Sequence, residues 1–244
     1  MVVRSVESMT PEPKLMTISS SRNIRRRWLP NRPPRVGWAL VLATVLAIST
    51  AFIYAARGVM YASAVRWANG LEMDSGIEFL AEKGLLALVA LTAGVALWTF
   101  FCSRRQFWTL VSAGVGVVTA YALSECIKVL VAEPRPCTAS TVSTVIACPA
   151  AGDWSWPSNH AVLAAAFATA CIITQTRTVW VAAPLAAVVA ASRVLAGVHY
   201  VHDVLSGLAL GAAIVATAVI ALGPLLNRKA AAETTEVATK GSLG

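Results

Sequence analysis

Six stretches of this chain are apolar over about 20 residues each, the length that an α-helix needs to cross the hydrocarbon core of a bilayer. Only 13% of the residues are charged and 57% are hydrophobic, whereas soluble domains are about 25% charged. A soluble enzyme is therefore disfavoured, and we expect an all-α, polytopic membrane protein with six transmembrane helices. The predicted spans are Val36–Ala56, Gly84–Cys102, Phe107–Val131, Ala161–Gln175, Thr178–Leu195 and Val204–Leu225. The fourth is short and could begin a few residues earlier, at Ser158–His160.

The spans form one predicted domain, residues 36–225, between two tails. We expect the Pro-rich, basic tail 1–35 and the polar tail 226–244 to be disordered and cytoplasmic. The first apolar run is too long, and too far from residue 1, for a cleaved signal peptide, so we expect a retained anchor. Residues 57–83 mix aromatic with charged side chains and predict one or two interfacial helices, either a simple connector or a rim beside a lipid entrance.

The distribution of positive charge predicts the orientation. The net charge is +8, and eight of the 20 basic residues lie within residues 1–35, directly before the first span. This placement favours a topological determinant near anionic lipid over a nucleic-acid-binding face. With both termini cytoplasmic, fourteen of the 20 basic residues fall on the inner side. The other six are predicted to be outside: Arg57, Arg66, Lys83, Lys128, Arg135 and Arg193.

Two polar clusters lie at predicted outer ends of spans. Lys128 and Arg135 flank the end of the third span, where Pro134 and Pro136 stop the helix; Lys128 alone could equally be a snorkelling cation. The segment Trp156-Pro157-Ser158-Asn159-His160 precedes the fourth span. Ser158 is a candidate N-cap, and the free amides of the following turn attract an anion, although an ordinary helix start has the same pattern.

A third cluster runs from Ser192 to Asp203. Arg193 closes the fifth span, and Gly197 lets the chain turn before His199. On a helix, His199 and Asp203 share one face, so the carboxylate can hold one imidazole N–H and leave the other nitrogen as a nucleophile. His202 lies off that face and is expected to be non-catalytic.

The predicted topology brings the three clusters to one side of the membrane. Together they supply three cations, a hydroxyl, helix-end amides, one His–Asp pair and a second histidine. This inventory suits phosphoryl transfer through a covalent phosphohistidine. The cations disperse charge on the phosphoryl oxygens, one histidine attacks, and the other protonates the leaving oxygen.

The spacing of these residues resembles a known signature. Lys-x6-Arg-Pro from Lys128, Pro-Ser-x-His from Pro157 and Ser-Arg-x5-His-x3-Asp from Ser192 are similar, in order and spacing, to the three motifs of the type 2 phosphatidic-acid phosphatase superfamily. That superfamily contains membrane lipid phosphatases, glucose-6-phosphatases and soluble vanadium haloperoxidases. The six-span layout resembles its bacterial lipid phosphatases.

The resemblance implies a role for each site residue. It makes His199 the nucleophile, Asp203 its orienting partner, and His160 the general acid that later activates water. It assigns phosphate binding to Lys128, Arg135, Ser158, Asn159 and Arg193. Asn159 stands where the family usually has Gly; its backbone N–H survives as a donor, its carboxamide can add another, and its bulk can tighten the pocket.

The resulting functional hypothesis is a lipid phosphatase with its site at the outer membrane face. Its candidate substrates are phosphatidic acid, phosphatidylglycerol phosphate, a polyprenyl diphosphate and a polyprenyl-linked sugar phosphate. One alternative is a catalytically silent lipid-binding or scaffold protein of the same fold, whose mark would be loss of a catalytic residue. Another is a vanadate-dependent peroxidase, although such members are soluble and larger. The oligomeric state is left open.

Neither a cofactor nor a metal is implied, because a zinc site needs several His or Cys ligands and the resemblance uses two of the three histidines elsewhere. Among the five cysteines, Cys137 and Cys148 flank ten residues of a predicted outward loop. Oxidation is permitted there, and we hypothesise a disulfide. Cys102, Cys126 and Cys171 fall in or beside spans and are expected to be inert packing residues.

Overall fold

A computed structural model describes residues 34–71 and 73–241, and within this part of the chain every regular element is a helix. The predicted all-α class is confirmed. The α-helices are α1 Pro34–Tyr54, α2 Arg57–Asn69, α3 Asp74–Cys102, α4 Arg104–Val131, α5 Pro136–Ala139, α6 Asn159–Thr174, α7 Val179–Leu195 and α8 Val201–Gly241; a short 3₁₀ helix, Thr176–Thr178, joins α6 to α7.

Five of these helices are long and apolar enough to cross a membrane, namely α1, α3, α4, α7 and α8. The remaining predicted span, the fourth, corresponds to α6, which has 16 residues. At 1.5 Å per residue α6 is about 24 Å long, shorter than a hydrocarbon core of about 30 Å. The chain is thus a multi-pass integral membrane protein, with five helices of spanning length and one shorter apolar helix.

Residues 57–83, where one or two interfacial helices were predicted, form α2 and the first turns of α3. Helix α3 begins at Asp74, ten residues before the predicted span, so the amphipathic segment continues directly into the apolar one. A Cβ atom on Gly84 would lie 2.9 Å from Val189, which shows that α3 packs closely on α7 at this point.

The predicted disorder of the two tails can be compared with the structure for the C-terminal tail but hardly for the N-terminal one. The predicted disorder of residues 226–244 does not match the structure, because α8 continues to Gly241. The segment Lys229-Ala-Ala-Ala-Glu233 explains the difference, since Ala, Lys and Glu have high helix propensity. The predicted disordered tail 1–35 lies outside the described residues, except that Pro34 and Arg35 open α1.

Helices α6 and α8 form the centre of the bundle. Helix α8 packs against α1, α4 and α6, and α6 packs in turn against α3, α4 and α7. Helix α6 is buried along most of its length by small side chains, including Ala164, Ala166 and Ala168. Small residues allow helix backbones to approach closely, and in a bilayer this packing replaces the hydrophobic driving force available in water.

The closest approach is made by two glycines of α8, spaced as Gly-x-x-x-Gly. A Cβ atom on Gly207 would lie 2.7 Å from the carbonyl oxygen of Ser158, and one on Gly211 would lie 2.2 Å from that of Val162. The start of α6 therefore rests directly on the α8 backbone. At the same level, the backbone N–H of Ser158 donates a hydrogen bond to the carbonyl oxygen of Asp203 over 3.1 Å.

We expect Gly211→Ala to destabilise the protein, because its methyl group has no room between two backbones. Overpacking of this kind costs roughly 1–3 kcal/mol, which thermal unfolding in detergent, followed by tryptophan fluorescence, will detect as a lower Tm. The matched control is Gly114→Ala in α4, where a new Cβ meets nothing within 4 Å. Equal Tm values for the two variants would contradict the close α6–α8 contact.

Candidate active site

The structure brings all three predicted clusters to one end of the bundle. The last turn of α4 carries Lys128, the residue before α5 is Arg135, and the start of α6 carries the second cluster. The last turn of α7 and the first turn of α8 carry Arg193 and Asp203, with His199 between them. This arrangement follows from the alternating direction of consecutive helices, which returns these helix ends to the same level.

The turn before α8 depends on glycine. Helix α7 ends at Leu195, and Gly197 has φ +82°, in the left-handed region that other residues rarely adopt. Its carbonyl oxygen accepts a hydrogen bond from the Tyr61 hydroxyl of α2 over 3.1 Å. The predicted break at Gly197 is confirmed, and it places His199 in the short non-helical segment between α7 and α8.

Asp203 holds His199 from the first turn of α8. Its Oδ2 lies 3.3 Å from Nδ1 of His199 and accepts hydrogen bonds from the backbone N–H of Tyr200 and from the Ser155 hydroxyl. The pair forms because the chain turns into α8, not because both residues share a helix face as predicted. Asp203 is fully buried and His199 is 1% exposed.

The tautomer of His199 follows from its contacts. Nη1 of Arg135 lies 3.0 Å from Nε2 of His199, and because a guanidinium can only donate, Nε2 must accept. Nδ1 therefore carries the proton and donates it toward Asp203. Burial lowers the pKa of His199 to about 4, against the raising effect of Asp203 and with a further lowering by Arg135. The imidazole is neutral at pH 7, with its Nε2 lone pair facing the cations.

The three predicted cations are buried at this site, with Lys128, Arg135 and Arg193 only 5–6% exposed. Arg193 donates from Nη1 to the carbonyl oxygen of Ala81 in α3 over 2.9 Å, while its buried Nε has no partner among the described residues. Buried charges of this kind are costly unless an anion is bound beside them. The cluster is therefore suited to binding an anionic group.

Asp153, which was not among the predicted site residues, forms ion pairs with two of these cations. Oδ1 of Asp153 lies 3.1 Å from Nζ of Lys128 and 2.9 Å from Nη2 of Arg135. The Asp153 carbonyl oxygen also accepts a hydrogen bond from Nε of Arg135. Burial alone raises the pKa of Asp153, but Arg135 and Lys128 outweigh it and hold that pKa below its usual value. A half-exposed carboxylate thus stands where an incoming anion would bind.

Ser158 and His160 lie at the start of α6. Ser158 occupies the N-cap position as predicted, yet its hydroxyl makes no capping hydrogen bond and is buried without a partner among the described residues. This leaves the hydroxyl available to a ligand. His160, two residues later in the first turn of α6, is half-buried and lies within electrostatic range of Arg193, His199 and Lys128.

The side chain of Asn159 is engaged elsewhere. The Ser124 hydroxyl donates to its Oδ1 over 2.6 Å, and its Nδ2 donates to the carboxylate of Glu125. The carboxamide thus ties α6 to α4, which departs from the predicted phosphate contact by this side chain. The physical reason is that α4 offers both a donor and an acceptor at the right height. The hydrogen bond from the backbone N–H of Asn159 to the phosphate stays a prediction.

His202 proves to be a second neighbour of Asp203. Its Nε2 lies 3.1 Å from Oδ1 of Asp203 and 3.3 Å from Oε2 of Glu133, and its ring stacks on Tyr200. His202 was predicted to lie off the face shared by His199 and Asp203, but its ring nitrogen also contacts the Asp203 carboxylate. Within the described part of the chain, the donor atoms of Glu133, His202 and Asp203 lie within 4.8 Å of one another, so these residues could hold a metal ion.

The loop between α5 and α6 supports the site from outside. Cys137 and Cys148 form a disulfide, which confirms the hypothesis from the sequence. Val145 and Ile146 of this loop pack on a small cluster that includes Val198, the residue before His199. Of the cysteines expected to be inert packing residues, Cys171 is buried, whereas Cys102 and Cys126 are exposed on the bundle surface.

The comparison with known families agrees with this site. Residues 108–225 match the model of the PAP2 superfamily. This stretch is about half of the chain and holds every predicted site residue, from Lys128 to Asp203, so the chain is similar to the PAP2 superfamily over the part that carries the site. The fold agrees as well: the crystal structure of a transmembrane PAP2-type phosphatidylglycerolphosphate phosphatase from Bacillus subtilis superposes with a TM-score of 0.50 at 22% identity, covering 77% of this chain and 95% of that one.

Curated relatives are similar over about half of this chain. An undecaprenyl-diphosphatase of Bacillus subtilis is 30% identical over 130 residues, which cover 53% of this chain and 65% of that protein. A decaprenylphosphoryl-5-phosphoribose phosphatase of Mycobacterium tuberculosis is 34% identical over 129 residues, covering 52% and 66%. An undecaprenyl-diphosphatase of Sulfolobus acidocaldarius is 33% identical over 116 residues, covering 47% and 54%. The chain thus spans less than two thirds of the length of each of these relatives.

Replacing Asp153 should strengthen anion binding. Asp153→Asn removes the carboxylate that competes for Lys128 and Arg135, so we expect inorganic phosphate to bind about twofold to fivefold more tightly, the scale of a half-exposed ion pair. Titration calorimetry of the purified protein measures the Kd. Asp74→Asn, at an exposed acid that opens α3, is the control. Unchanged or weaker binding would mean that Asp153 only orients the cations.

Proposed function

We propose that the protein is a membrane lipid phosphatase that hydrolyses a phosphomonoester or diphosphate through a phosphohistidine at His199. One observation carries the proposal: a buried, neutral imidazole has Nδ1 held by Asp203 and Nε2 3.0 Å from the Arg135 guanidinium. A nucleophile in this state needs no prior deprotonation. The cations beside it can stabilise the charge that develops on a phosphoryl group.

In the first step, the substrate phosphate displaces the Asp153 carboxylate from Lys128 and Arg135 and also contacts Arg193. Nε2 of His199 attacks phosphorus in line with the departing oxygen, forming an N–P bond as the O–P bond to the lipid breaks. His160 donates a proton to the leaving oxygen, so a lipid alcohol, or a lipid monophosphate from a diphosphate, is released. The Nδ1 proton stays with His199, where Asp203 stabilises the positive charge of the phosphorylated ring.

In the second step, His160 accepts a proton from a water molecule, whose oxygen attacks the phosphorus of phosphohistidine. The N–P bond breaks, inorganic phosphate leaves, and both histidines return to their starting states. This chain's residues complete the cycle without a metal. The Ser158 hydroxyl and the first amides of α6 are proposed to hold phosphoryl oxygens during both steps.

The relatives support a lipid phosphate as the substrate class. Their names specify undecaprenyl diphosphate and decaprenylphosphoryl-5-phosphoribose, and the neighbouring structure is named for phosphatidylglycerolphosphate. These substrates differ in headgroup but share a long apolar tail and a terminal phosphate. We therefore keep all four candidate lipid phosphates. The excess of positive charge on the opposite side supports an outer-face site with both termini cytoplasmic, as carrier-lipid recycling or envelope-lipid synthesis would need.

His199→Ala should abolish phosphate release, because no other group can form the covalent intermediate. The measurement is phosphate release in detergent from phosphatidic acid, phosphatidylglycerol phosphate and undecaprenyl diphosphate, with excess chelator present because the scheme uses no metal. The wild type should also form an acid-labile phosphoenzyme that the variant lacks. Cys126→Ser, on the exposed surface of α4, is the control. Near-normal turnover by a folded His199→Ala protein would refute the nucleophile, and loss of wild-type activity in chelator would refute the metal-free scheme.

The pH dependence should reflect the neutral state of His199. Because the pKa of His199 is about 4, the nucleophile stays unprotonated as the pH falls from 8 to 5 and is lost only when the pH falls through about 4. The kcat/KM profile, corrected for ionisation of the substrate, should therefore have its acid limb well below pH 6.5, the ordinary value for histidine. An acid limb near 6.5 would show that His199 is not neutralised by burial.

A further inference from the structure

Beside the site lies an apolar cavity of about 420 Å³ between α1, α4 and α8. We name it the tail groove. Its α1 wall runs from Leu40 to Thr50 and its α8 wall from Ser206 to Ala213. At 1.5 Å per residue these walls are about 10–15 Å long. The groove is therefore elongated along the bundle and suits an extended chain.

The hydroxyl groups that line the tail groove already donate hydrogen bonds. The hydroxyls of Thr44 and Thr50 donate to carbonyl oxygens of their own helix, each over 2.9 Å. The hydroxyl of Ser206 likewise donates to the carbonyl oxygen of Asp203 over 2.9 Å. The remaining lining is mostly Ala, Leu and Ile. A ligand here would find no free hydroxyl to bind, so the chemistry of the groove suits a hydrocarbon.

One end of the tail groove adjoins the active site. It is formed by Trp156 and Pro157, which lie in sequence between two residues bonded to Asp203. Ser155 donates its hydroxyl to the Asp203 carboxylate, and Ser158 donates its N–H to the Asp203 carbonyl oxygen. On α4, the lining residue Ile127 directly precedes Lys128. A molecule whose phosphate lies on the cations would thus have the groove as the nearest apolar space.

We propose that the tail groove binds the phosphate-proximal part of the hydrocarbon chain of the lipid substrate. This inference rests on the proposed function and deepens it, because it assigns tail recognition to α1 and α8. A tail that leaves the bilayer gains little from a second apolar environment. The groove therefore contributes chiefly orientation, holding the scissile bond in line with Nε2 of His199.

A second apolar cavity provides the internal control. It has about 460 Å³ and lies between α3, α4 and α6, where its lining includes Ala93, Phe107 and Gly114. These α4 residues belong to the first half of the helix, whereas Lys128 is in its last turn. The two cavities are alike in size and chemistry, but only the tail groove adjoins the site.

The test fills each cavity with one side chain. Ala47→Phe fills the tail groove from the exposed side of α1, and Ala93→Phe fills the control cavity. We expect Ala47→Phe to lower kcat/KM for dioleoyl phosphatidic acid or undecaprenyl diphosphate by about tenfold or more, the usual scale of a blocked apolar pocket. Hydrolysis of water-soluble para-nitrophenyl phosphate should stay within about twofold, and Ala93→Phe should leave the ratio of the two activities unchanged.

If the long-chain and soluble activities fall together, or if neither changes, the tail groove is not the tail site. Absence of both activities in the wild type would instead overturn the proposed function, so the two failures are distinguishable. A measurement on the unmodified chain avoids any folding defect. Phosphatidic acid with a diazirine near its glycerol should label residues 40–50 and 206–213. Equal labelling there by a phosphatidylcholine with the same probe would show ordinary bilayer lipid and overturn the inference.

Discussion

The structure of this site is governed by the cost of burying positive charge. Lys128, Arg135 and Arg193 are almost fully buried at one end of an apolar bundle, and such charges are stable only with anions or aligned carbonyl groups beside them. In the free protein the Asp153 carboxylate and the carbonyl oxygens of Val198 and Ala81 meet part of this need. The rest is unmet among the described residues, where Nε of Arg193 has no hydrogen-bond partner. On the proposed function, a phosphate group would complete the balance, so the same imbalance that costs stability would provide the affinity.

The same charges set the state of His199. Arg135 donates to Nε2 and so excludes a proton from that nitrogen, while Asp203 holds the proton on Nδ1. Two hydrogen bonds therefore fix both the tautomer and the direction of the lone pair. The geometry of these two hydrogen bonds depends on the backbone, because Arg135 also donates hydrogen bonds to the carbonyl oxygens of Val198 and Asp153. The cations and the imidazole thus orient each other through the main chain of two loops.

The helix packing supplies the frame in which these loops meet. Gly207 and Gly211 let α6 rest on α8, so that Ser158 can bond the backbone of Asp203 and His160 can face the cations. The Gly-x-x-x-Gly spacing is visible in the sequence, but the helix that it contacts is not, since five other apolar helices could have filled that place. Likewise, the hydropathy pattern predicted six apolar helices but not which of them pack together.

Residues whose positions follow from spacing along the chain could be predicted, and those whose positions depend on loop conformation could not. Three features could be recognised in the sequence because each is formed by residues that are close together along the chain. They are the three clusters, the turn at Gly197 and the Cys137–Cys148 pair. Asp153 reaches Lys128 and Arg135 only through the path of the loop after α5, which has no periodic pattern. The Asn159 side chain was expected to face the anion, but Ser124 and Glu125, 35 and 34 residues earlier, hold it. The extension of α8 to Gly241 follows from the high helix propensity of Ala, Lys and Glu, whereas the polar composition of this segment had suggested disorder.

These observations also bear on how selectivity could arise. On the proposed function, the residues that would surround the anion are cations, amides and a hydroxyl, which suit any terminal phosphate, and the similar proteins differ in the lipid named for each. Selectivity must then come from surfaces outside the three clusters. On the proposed function, the tail groove is the apolar surface nearest the site, and the α5–α6 loop that carries Asp153 is the polar one. Asn159 belongs to neither surface, because its carboxamide is committed to α4. A change of substrate preference is therefore expected to involve the walls of the groove and this loop before the catalytic residues.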